Sequence, residues 1–298
     1  MRTIFLCAFL LCALCVSALT FSSALFITPP NSQAAQEHSR SYLGFDRNVY
    51  PGDSALPILR KTFTFASYWL SPPPGEKTST WLGKRELLRS QGFGFLVLYR
   101  GPQSSELRQT LPVARVFDNL SLKRGARDAR QAAVAAKKEG FPSHTVIFLD
   151  IEEGGRLPAV YHVYLRAWLD QLAGAGYRAG VYCSGMPVSE GGGATIITAD
   201  DIRNNTGSRD IIYWVYNDAC PPSPGCVVPQ DPPAPSKSGI SNAATWQFWR
   251  SPRPKGSAPR CPAKNPSNGN CYAPGDAAHE WFLDLNTATS ADPSGGAK

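Results

Sequence analysis

The chain has 298 residues, with 30 Lys and Arg against 23 Asp and Glu and a formal net charge of +7. This length accommodates one large hydrophobic core, and about 250 residues are typical of a β/α barrel. The positive balance suits a polyanionic wall or envelope surface. The charges form no stripe of the kind found in nucleic-acid-binding proteins, so no nucleic acid is expected as a partner.

The sequence of residues 1–35 predicts an export signal. The stretch from Ile4 to Ile27 is strongly apolar, follows Arg2 and precedes the first acidic residue, Glu37. Small residues before several possible cleavage points favour a signal peptide. The apolar run also has about the 20 residues needed to cross a bilayer, so an uncleaved N-terminal anchor is the alternative. A secreted or envelope-bound protein is expected, with membrane contact only through this segment.

The remaining chain alternates short β-rich runs with helical runs, which predicts a parallel sheet with crossover helices. The eight predicted strands are Tyr42–Asp46, Phe65–Trp69, Phe95–Tyr99, Thr145–Ile151, Arg178–Tyr182, Ile211–Tyr216, Ala244–Phe248 and Trp281–Leu285. Eight strands predict a single α/β domain over residues 41–290, a (β/α)8 TIM-barrel-like fold, expected to be a monomer. The small, polar residues 291–298 predict a disordered tail.

Two long connections, Asn217–Asn242 and Arg250–His279, follow the sixth and seventh predicted strands. Loops after barrel strands surround the mouth, so these are candidate cleft walls, with decorative insertion as the alternative. Each holds a close pair of cysteines, and in an exported chain the pairs read as two local disulfides: Cys220 with Cys226, and Cys261 with Cys271. No His lies near either pair, which argues against zinc, and no metal is expected.

The strongest chemical signal is the hydrophobic run from Thr145 that ends in Asp150 and Glu152. Side chains two residues apart on a strand share a face, so both carboxyl groups are predicted to project at the barrel rim. Two acids this close predict a raised pKa, as a general acid requires. Glu153 is expected to point elsewhere. The alternative is that these acids cap the following helix.

Two further acids, Asp46 and Asp284, lie on the first and eighth predicted strands. These strands are neighbours when the barrel closes, so the two carboxyl groups are predicted to lie side by side across the mouth from the fourth strand. Cleavage of a polysaccharide needs acidic groups on both sides of the scissile bond. Each acid alone fits a loop cap equally well.

Aromatic residues near the strand ends suggest a surface on which sugar rings stack, although rings also fill barrel cores. No phosphate-binding loop, metal-ligand spacing or Gly-x-Ser-x-Gly elbow is present, so no cofactor is expected. The predicted substrate-binding residues are Tyr68, Tyr99, Tyr182, Trp214, Tyr216, Trp246 and Gln247.

Several segments in this order resemble the family 25 glycoside hydrolases, the bacterial and phage muramidases, and more closely their glycoside-hydrolase-like relatives, the domain of unknown function 1906. The segments are Gly44–Asp46, Phe148–Glu152, Ala175–Ser184, Trp246–Phe248 and Asp284–Asn286. The resemblance implies a distorted β/α barrel acting on peptidoglycan glycan. It also implies that Glu152 is the acid, that Asp46, Asp150 and Asp284 line the subsite, and that Asp150 orients the substrate acetamido group.

The chain departs from the muramidase pattern at two places. Arg47 follows Asp46 where a small residue is usual, and the sixth strand reads Trp214-Val-Tyr216. The leading hypothesis is therefore an exported glycosidase that cleaves a wall polysaccharide through Glu152. The alternative is a catalytically inactive barrel that binds wall glycan or a wall-assembly partner.

Overall fold

A computed structural model describes residues 40–108, 114–252 and 268–298. They form one compact unit. The predicted export segment and Cys261 lie outside the described residues. Within them, no helix combines the length and apolarity that a membrane crossing requires.

Eight strands form a closed barrel, which confirms the predicted fold class. Their order is β1-β2-β3-β4-β5-β8-β9-β11, and pairing of β11 with β1 closes the ring. The barrel strands are β1 Tyr42–Asp46, β2 Phe65–Trp69, β3 Gly94–Arg100, β4 Val146–Asp150, β5 Arg178–Ser184, β8 Ile212–Tyr216, β9 Ala243–Trp249 and β11 Phe282–Ala288. The others are a hairpin, β6 Pro187–Gly191 with β7 Ala194–Ile197, and the short β10 Cys271–Tyr272.

The last barrel strand departs from a regular β/α barrel. Neighbouring strands from β1 to β9 pair in parallel, whereas β11 is antiparallel to both β9 and β1. Strand β9 ends at the mouth, so β11 starts at the mouth and runs down the barrel. The predicted neighbour relation of the first and last strands is therefore confirmed, but the direction of the last strand is reversed.

Helices cover the outside of the barrel. They are α1 Leu56–Leu59, α2 Arg85–Ser90, α3 Ser104–Arg108, α4 Ala114–Lys138, α5 Ala159–Gly174 and α6 Thr198–Asn205, with short 3-10 helices at Asp53–Ala55 and Pro235–Ser238. Helices α4 and α5 approach closely: a Cβ on Gly125 of α4 would lie 2.2 Å from the backbone oxygen of Tyr164. Small residues on α4 thus allow its apolar face to bury against the barrel and α5.

The C-terminal residues, expected to be disordered, are hydrogen-bonded beneath the barrel. The backbone N–H of Val97 donates to Ser294 Oγ at 2.9 Å, and that of Val146 donates to the Ser294 carbonyl at 2.8 Å. Arg85 Nη2 donates to the Gly296 carbonyl at 2.7 Å. The tail therefore satisfies backbone groups at the lower ends of β3 and β4, which composition alone does not reveal.

The cysteine pairing predicted from spacing is wrong. Cys226 is bonded to Cys271, with their Cα atoms 5.5 Å apart and a sequence separation of 45. Cys220 is also disulfide-bonded. The Cys226–Cys271 disulfide joins the loop after β8 to the loop after β9, whereas the sequence predicted one local disulfide inside each loop. Spatial neighbourhood at the mouth, and not distance along the chain, determines this pairing.

Deleting residues 291–298 is expected to lower the free energy of unfolding by about 3 kcal/mol or more, because the buried backbone donors of β3 and β4 lose their acceptors. The milder Ser294→Ala removes one acceptor and is expected to cost about 1 kcal/mol. Urea unfolding measures both changes. A truncated protein as stable as the full chain would restore the disordered-tail prediction.

Candidate active site

The four predicted carboxyl groups meet at the barrel mouth. Asp46 and Asp284 are directly paired across β1 and β11, and Asp150 ends β4 with Glu152 two residues beyond. The negative charge of Glu152 raises the pKa of Asp46, Asp150 and Asp284, so all three lie within its electrostatic reach. The reversed direction of β11 is what brings Asp284, the third residue of that strand, to this rim.

Asp46 is held by two side-chain amides. Its Oδ1 accepts hydrogen bonds from Gln247 Nε2 at 2.9 Å and Asn286 Nδ2 at 2.5 Å. The amide oxygens are occupied in turn: Tyr182 donates to Gln247 Oε1 at 2.7 Å, and Trp214 Nε1 donates to Asn286 Oδ1 at 2.9 Å. These outer donors fix both amides so that their N–H groups face Asp46.

Burial dominates the electrostatics of Asp46. It raises the pKa of the carboxyl to about 7, and the charge of Glu152 adds to the rise, although the Gln247 and Asn286 hydrogen bonds oppose it. The pKa of Asp284 is raised well above its usual value by burial and by the charge of Asp46. The backbone N–H of Ser251, 2.5 Å from Asp284 Oδ1, works against that rise. This side of the mouth therefore retains protons near neutral pH.

Asp150 and Glu152 form the other side. Asp150 is buried, and burial together with the charges of Glu152 and Asp46 raises its pKa well above the usual value. Glu152 is solvent-exposed at the open mouth, yet the surrounding protein also raises its pKa, against the opposing charge of Arg250. The predicted rise in pKa at this pair is present at both carboxyl groups. Glu153 points away, accepting the Ser104 N–H of α3 at 2.6 Å.

Three of the predicted aromatic residues lie inside the mouth. The Tyr182 ring lies 4.7 Å from that of Trp214 and 5.4 Å from that of Tyr216, measured between ring centroids. The hydroxyl of Tyr216 donates to the Glu152 carbonyl at 3.3 Å. Trp214 and Gln247 are almost completely buried and position Asn286 and Asp46, and Tyr182 and Tyr216 are also buried, with 5% of each exposed.

Tyr68, Tyr99 and Trp246, by contrast, point outward into the helix layer. Tyr68 donates to Glu139 beyond α4, and its ring packs 5.1 Å from that of Phe141. Tyr99 donates to Gln131 of α4 at 3.1 Å. Trp246 Nε1 donates to the carbonyl of Asn217 at 2.8 Å, and its ring lies 5.9 Å from that of Phe248. Their assignment to the substrate site is not supported because alternation along each strand turns these three side chains away from the axis.

Alternation instead turns neighbouring residues inward. Trp69 shares the inner face of β2 with Ser67, whose Oγ accepts the backbone N–H of Arg47 at 3.2 Å. Trp249 shares the inner face of β9 with Gln247. If the outward direction of Tyr68 and Trp246 were known, alternation would place Trp69 and Trp249 on the inner face. The sequence does not show which face of a strand is inward when both faces are buried.

Arg250, immediately after β9, was missed as a site residue. Its Nε and Nη2 both lie 3.1 Å from the carboxylate oxygens of buried Asp218. Its guanidinium carbon also lies 4.3 Å from the centroid of the Tyr216 ring. This bidentate pair and the ring hold a fixed cation at the mouth, where it opposes the rise in the pKa of Glu152 and Asp284.

Arg47 also approaches the acids, as its position after Asp46 predicts. Burial lowers the pKa of its guanidinium, while the charges of Asp284 and Asp276 oppose that change. The guanidinium carbon lies 5.3 Å from the Phe282 ring centroid, and Nε and Nη1 are buried without a hydrogen-bond partner among the described residues. Its main acidic neighbours are thus on β11 and the preceding loop.

In the described ranges, no group of three or more His, Cys, Asp or Glu side chains is arranged to hold a metal ion.

Residues 76–220 match the family model of the Rv2525c-like, glycoside hydrolase-like domain. This match covers just under half of the chain and supports a glycoside hydrolase-like domain in that part of the sequence. The resemblance inferred from the sequence motifs is confirmed. No match is found among curated proteins.

Several solved structures are similar to this chain at low sequence identity. An uncharacterized B. stearothermophilus protein has 20% identity and a TM-score of 0.50, over 83% of this chain and 95% of that one. The Mycobacterium tuberculosis Tat-secreted protein Rv2525c has 17% identity and a TM-score of 0.43, over 83% and 94%. The Clostridium perfringens spore cortex lytic enzyme SleM has 15% identity and a TM-score of 0.46, over 84% of this chain and 68% of that one.

The raised pKa of Asp46 predicts a pH-dependent stability. The folded state binds this proton more tightly than the unfolded chain, so the associated stability is present below about pH 4 and is lost as pH rises to about 7. The loss attributable to Asp46 amounts to at most about 4 kcal/mol. Asp46→Asn keeps the acceptor oxygen but does not titrate, so its stability is expected to fall less over this range.

Urea unfolding between about pH 4 and pH 8 measures this difference. Asp210→Asn is the control, since the Asp210 side chain is 81% exposed. Identical pH profiles for Asp46→Asn and the wild type would contradict the assignment.

Proposed function

We propose that this barrel is an exported glycoside hydrolase that cleaves a glycosidic bond in peptidoglycan or a related wall polysaccharide, with Glu152 as general acid. The observation that carries the proposal is the convergence of Asp46, Asp150, Glu152 and Asp284 at one rim, all with raised pKa values. A carboxyl group that keeps its proton near neutral pH can protonate a leaving glycosidic oxygen.

Exposure distinguishes the roles of the two acids on the β4 side. Glu152 is accessible from the mouth, whereas Asp150 is 3% exposed. Glu152 is therefore the group able to reach a bond lying across the opening. Asp150, beneath it, keeps the local field negative when ionised and, as in the resembling muramidases, is proposed to orient a substrate acetamido group.

Asp46 and Asp284 face this pair from the closing strands. The amides of Gln247 and Asn286 fix Asp46 in one orientation, so it is ready to accept a hydrogen bond from a sugar hydroxyl without reorganisation. Carboxyl groups on both sides of the opening fit a glycan strand better than a small neutral ligand.

The disulfide bond is consistent with an oxidising compartment. The Cys226–Cys271 disulfide crosslinks two mouth loops, and such bonds persist in secreted and envelope proteins. Together with the apolar N-terminal segment, the disulfide supports export to the compartment where wall polysaccharide is found.

Glu152→Gln is expected to lower peptidoglycan hydrolysis by roughly 10²- to 10⁴-fold, because the amide has no acidic proton to donate. Zymography and release of reducing ends by the purified domain measure the loss. Glu86→Gln on α2 is the matched control, since Glu86 is exposed and its carboxylate accepts hydrogen bonds from Arg89. Equal clearing of peptidoglycan by the wild type and Glu152→Gln would contradict the assignment of Glu152 as the general acid.

The Arg250–Asp218 pair is expected to adjust the pKa of the acid. Removing both partners in Arg250→Met/Asp218→Asn avoids leaving a buried carboxylate unpaired. Because the Arg250 cation opposes the rise in the pKa of Glu152, the alkaline limb of the pH–rate profile is expected to move to higher pH. An unchanged alkaline limb in a folded double variant would show that Arg250 does not act on the acid.

A second candidate function is glycan binding without turnover, and Arg47 favours it. A half-buried guanidinium near Asp284 holds a positive charge beside one of the acids. In that case the domain binds peptidoglycan fragments, Glu152→Gln binds them equally well, and neither protein releases reducing ends. Calorimetric titration alongside the activity assay separates this outcome from catalysis.

A further inference from the structure

The outer face of α4 carries cations that the proposed active site does not use. Lys123, Arg130 and Lys137 are spaced seven residues apart and are all exposed. At 1.5 Å per residue this line covers about 21 Å, on one side of the helix. Arg127 and Lys138 are also exposed. These five residues are called the basic stripe below.

The lysines of the stripe have no acidic partner among the described side chains, whereas Arg127 is paired with Asp128. In residues 119–138 the only carboxylate is Asp128, which is buried and accepts from Arg127 at 2.8 Å, with Arg124 at 3.6 Å. Neighbouring acids are also paired: Glu106 lies 3.0 Å from Arg124, and Asp170 of α5 lies 2.7 Å from Arg209. Within the described part of the chain, the side chains of Lys123, Lys137 and Lys138 make no hydrogen bond or ion pair.

Helix stability alone does not explain this distribution. Lys137 and Lys138 occupy the last turn, where cations interact favourably with the helix dipole. Lys123, Arg127 and Arg130 lie in the interior of the helix, where that effect is absent. A recess of about 560 Å³ lies beside them, lined by Lys123, Arg124, Arg127 and Arg130 against the single acid Glu106.

We propose that the basic stripe binds a linear polyanion with phosphate groups along its backbone, as distinct from a membrane or a nucleic acid. Charge complementarity over about 21 Å suits an extended chain that meets several cations in succession. Helix α4 follows β3 at the mouth and leads to the lower end of β4, so the stripe lies on the barrel flank and leaves the mouth free.

The composition of the helix selects this partner over the other polyanions. Its described exposed apolar residues on this face are Leu122 and Val134, 52% and 68% exposed and separated by twelve positions. The rest of its apolar face is buried, so it has no continuous surface to insert into a bilayer. Residues 119–138, which carry the basic stripe, contain no aromatic side chain on which a nucleic acid base could stack.

The test uses the full chain and fluorescently labelled linear polyphosphate, with anisotropy measured at several salt concentrations. The variant Lys123→Gln/Arg130→Gln/Lys137→Gln is expected to weaken binding about tenfold or more and to reduce the salt dependence by about two to three counterions. The matched control is Lys61→Gln/Lys77→Gln/Lys237→Gln, which removes three exposed cations elsewhere and is expected to bind like the wild type.

Three results would overturn the proposal: no measurable binding by the wild type, an equal loss in the control variant, or tighter binding to phosphatidylglycerol vesicles or single-stranded DNA than to polyphosphate. All six substituted side chains are exposed, so circular dichroism and melting temperatures are expected to match the wild type. The readout does not involve hydrolysis, so it is independent of the outcome for Glu152.

Discussion

Closure of the barrel by an antiparallel β11 is the constraint on which the site depends. Because β11 starts at the mouth, Asp284 pairs with Asp46, and Asn286 lies one inward position deeper, beside the same carboxyl. A parallel strand would carry the sequence Asp284-Leu-Asn286 toward the mouth in the opposite order. The two amides that fix Asp46 come from β9 and β11, so the seam of the barrel is also the scaffold of the site.

The residues of the seam hold Asp46 and Asp284 in place, but the raised pKa values of these two carboxyl groups oppose their ionisation. Each amide that donates to Asp46 is itself an acceptor for Tyr182 or Trp214, and this arrangement removes the freedom of either amide to turn away. Two neutral donors still do not offset burial, and the pKa of Asp46 stays raised to about 7. Arg250 provides a positive charge at the same rim, but its bidentate ion pair with Asp218 partly neutralises that charge. The mouth is therefore built to retain protons, which suits acid catalysis.

The strands were predictable from sequence because buried β-rich runs alternate with helical runs, and the acids were predictable because they end those runs. The inward face was not. On a strand buried on both sides, polarity does not distinguish axis from helix layer, so the sequence did not show that Tyr68, Tyr99 and Trp246 face the helices while Trp69 and Trp249 face the axis. The disulfide and the tail escaped prediction for a related reason. Cys271 and Ser294 form bonds with residues far away in the chain, and local composition carries no record of such partners.

The basic stripe escaped the sequence analysis for a geometric reason. Apart from the adjacent Lys137 and Lys138, its cations are three to seven residues apart, so no long run of charge is visible along the chain, yet the helical period gathers them on one face. Carboxyl groups therefore surround the mouth, while the α4 flank carries an excess of cations, of which Arg127 is paired with Asp128. A glycan substituted with a phosphate polymer has complementary features for both regions. A polymer held along the flank would keep its attached glycan near the mouth. The effective concentration of the glycan at Glu152 would then be high.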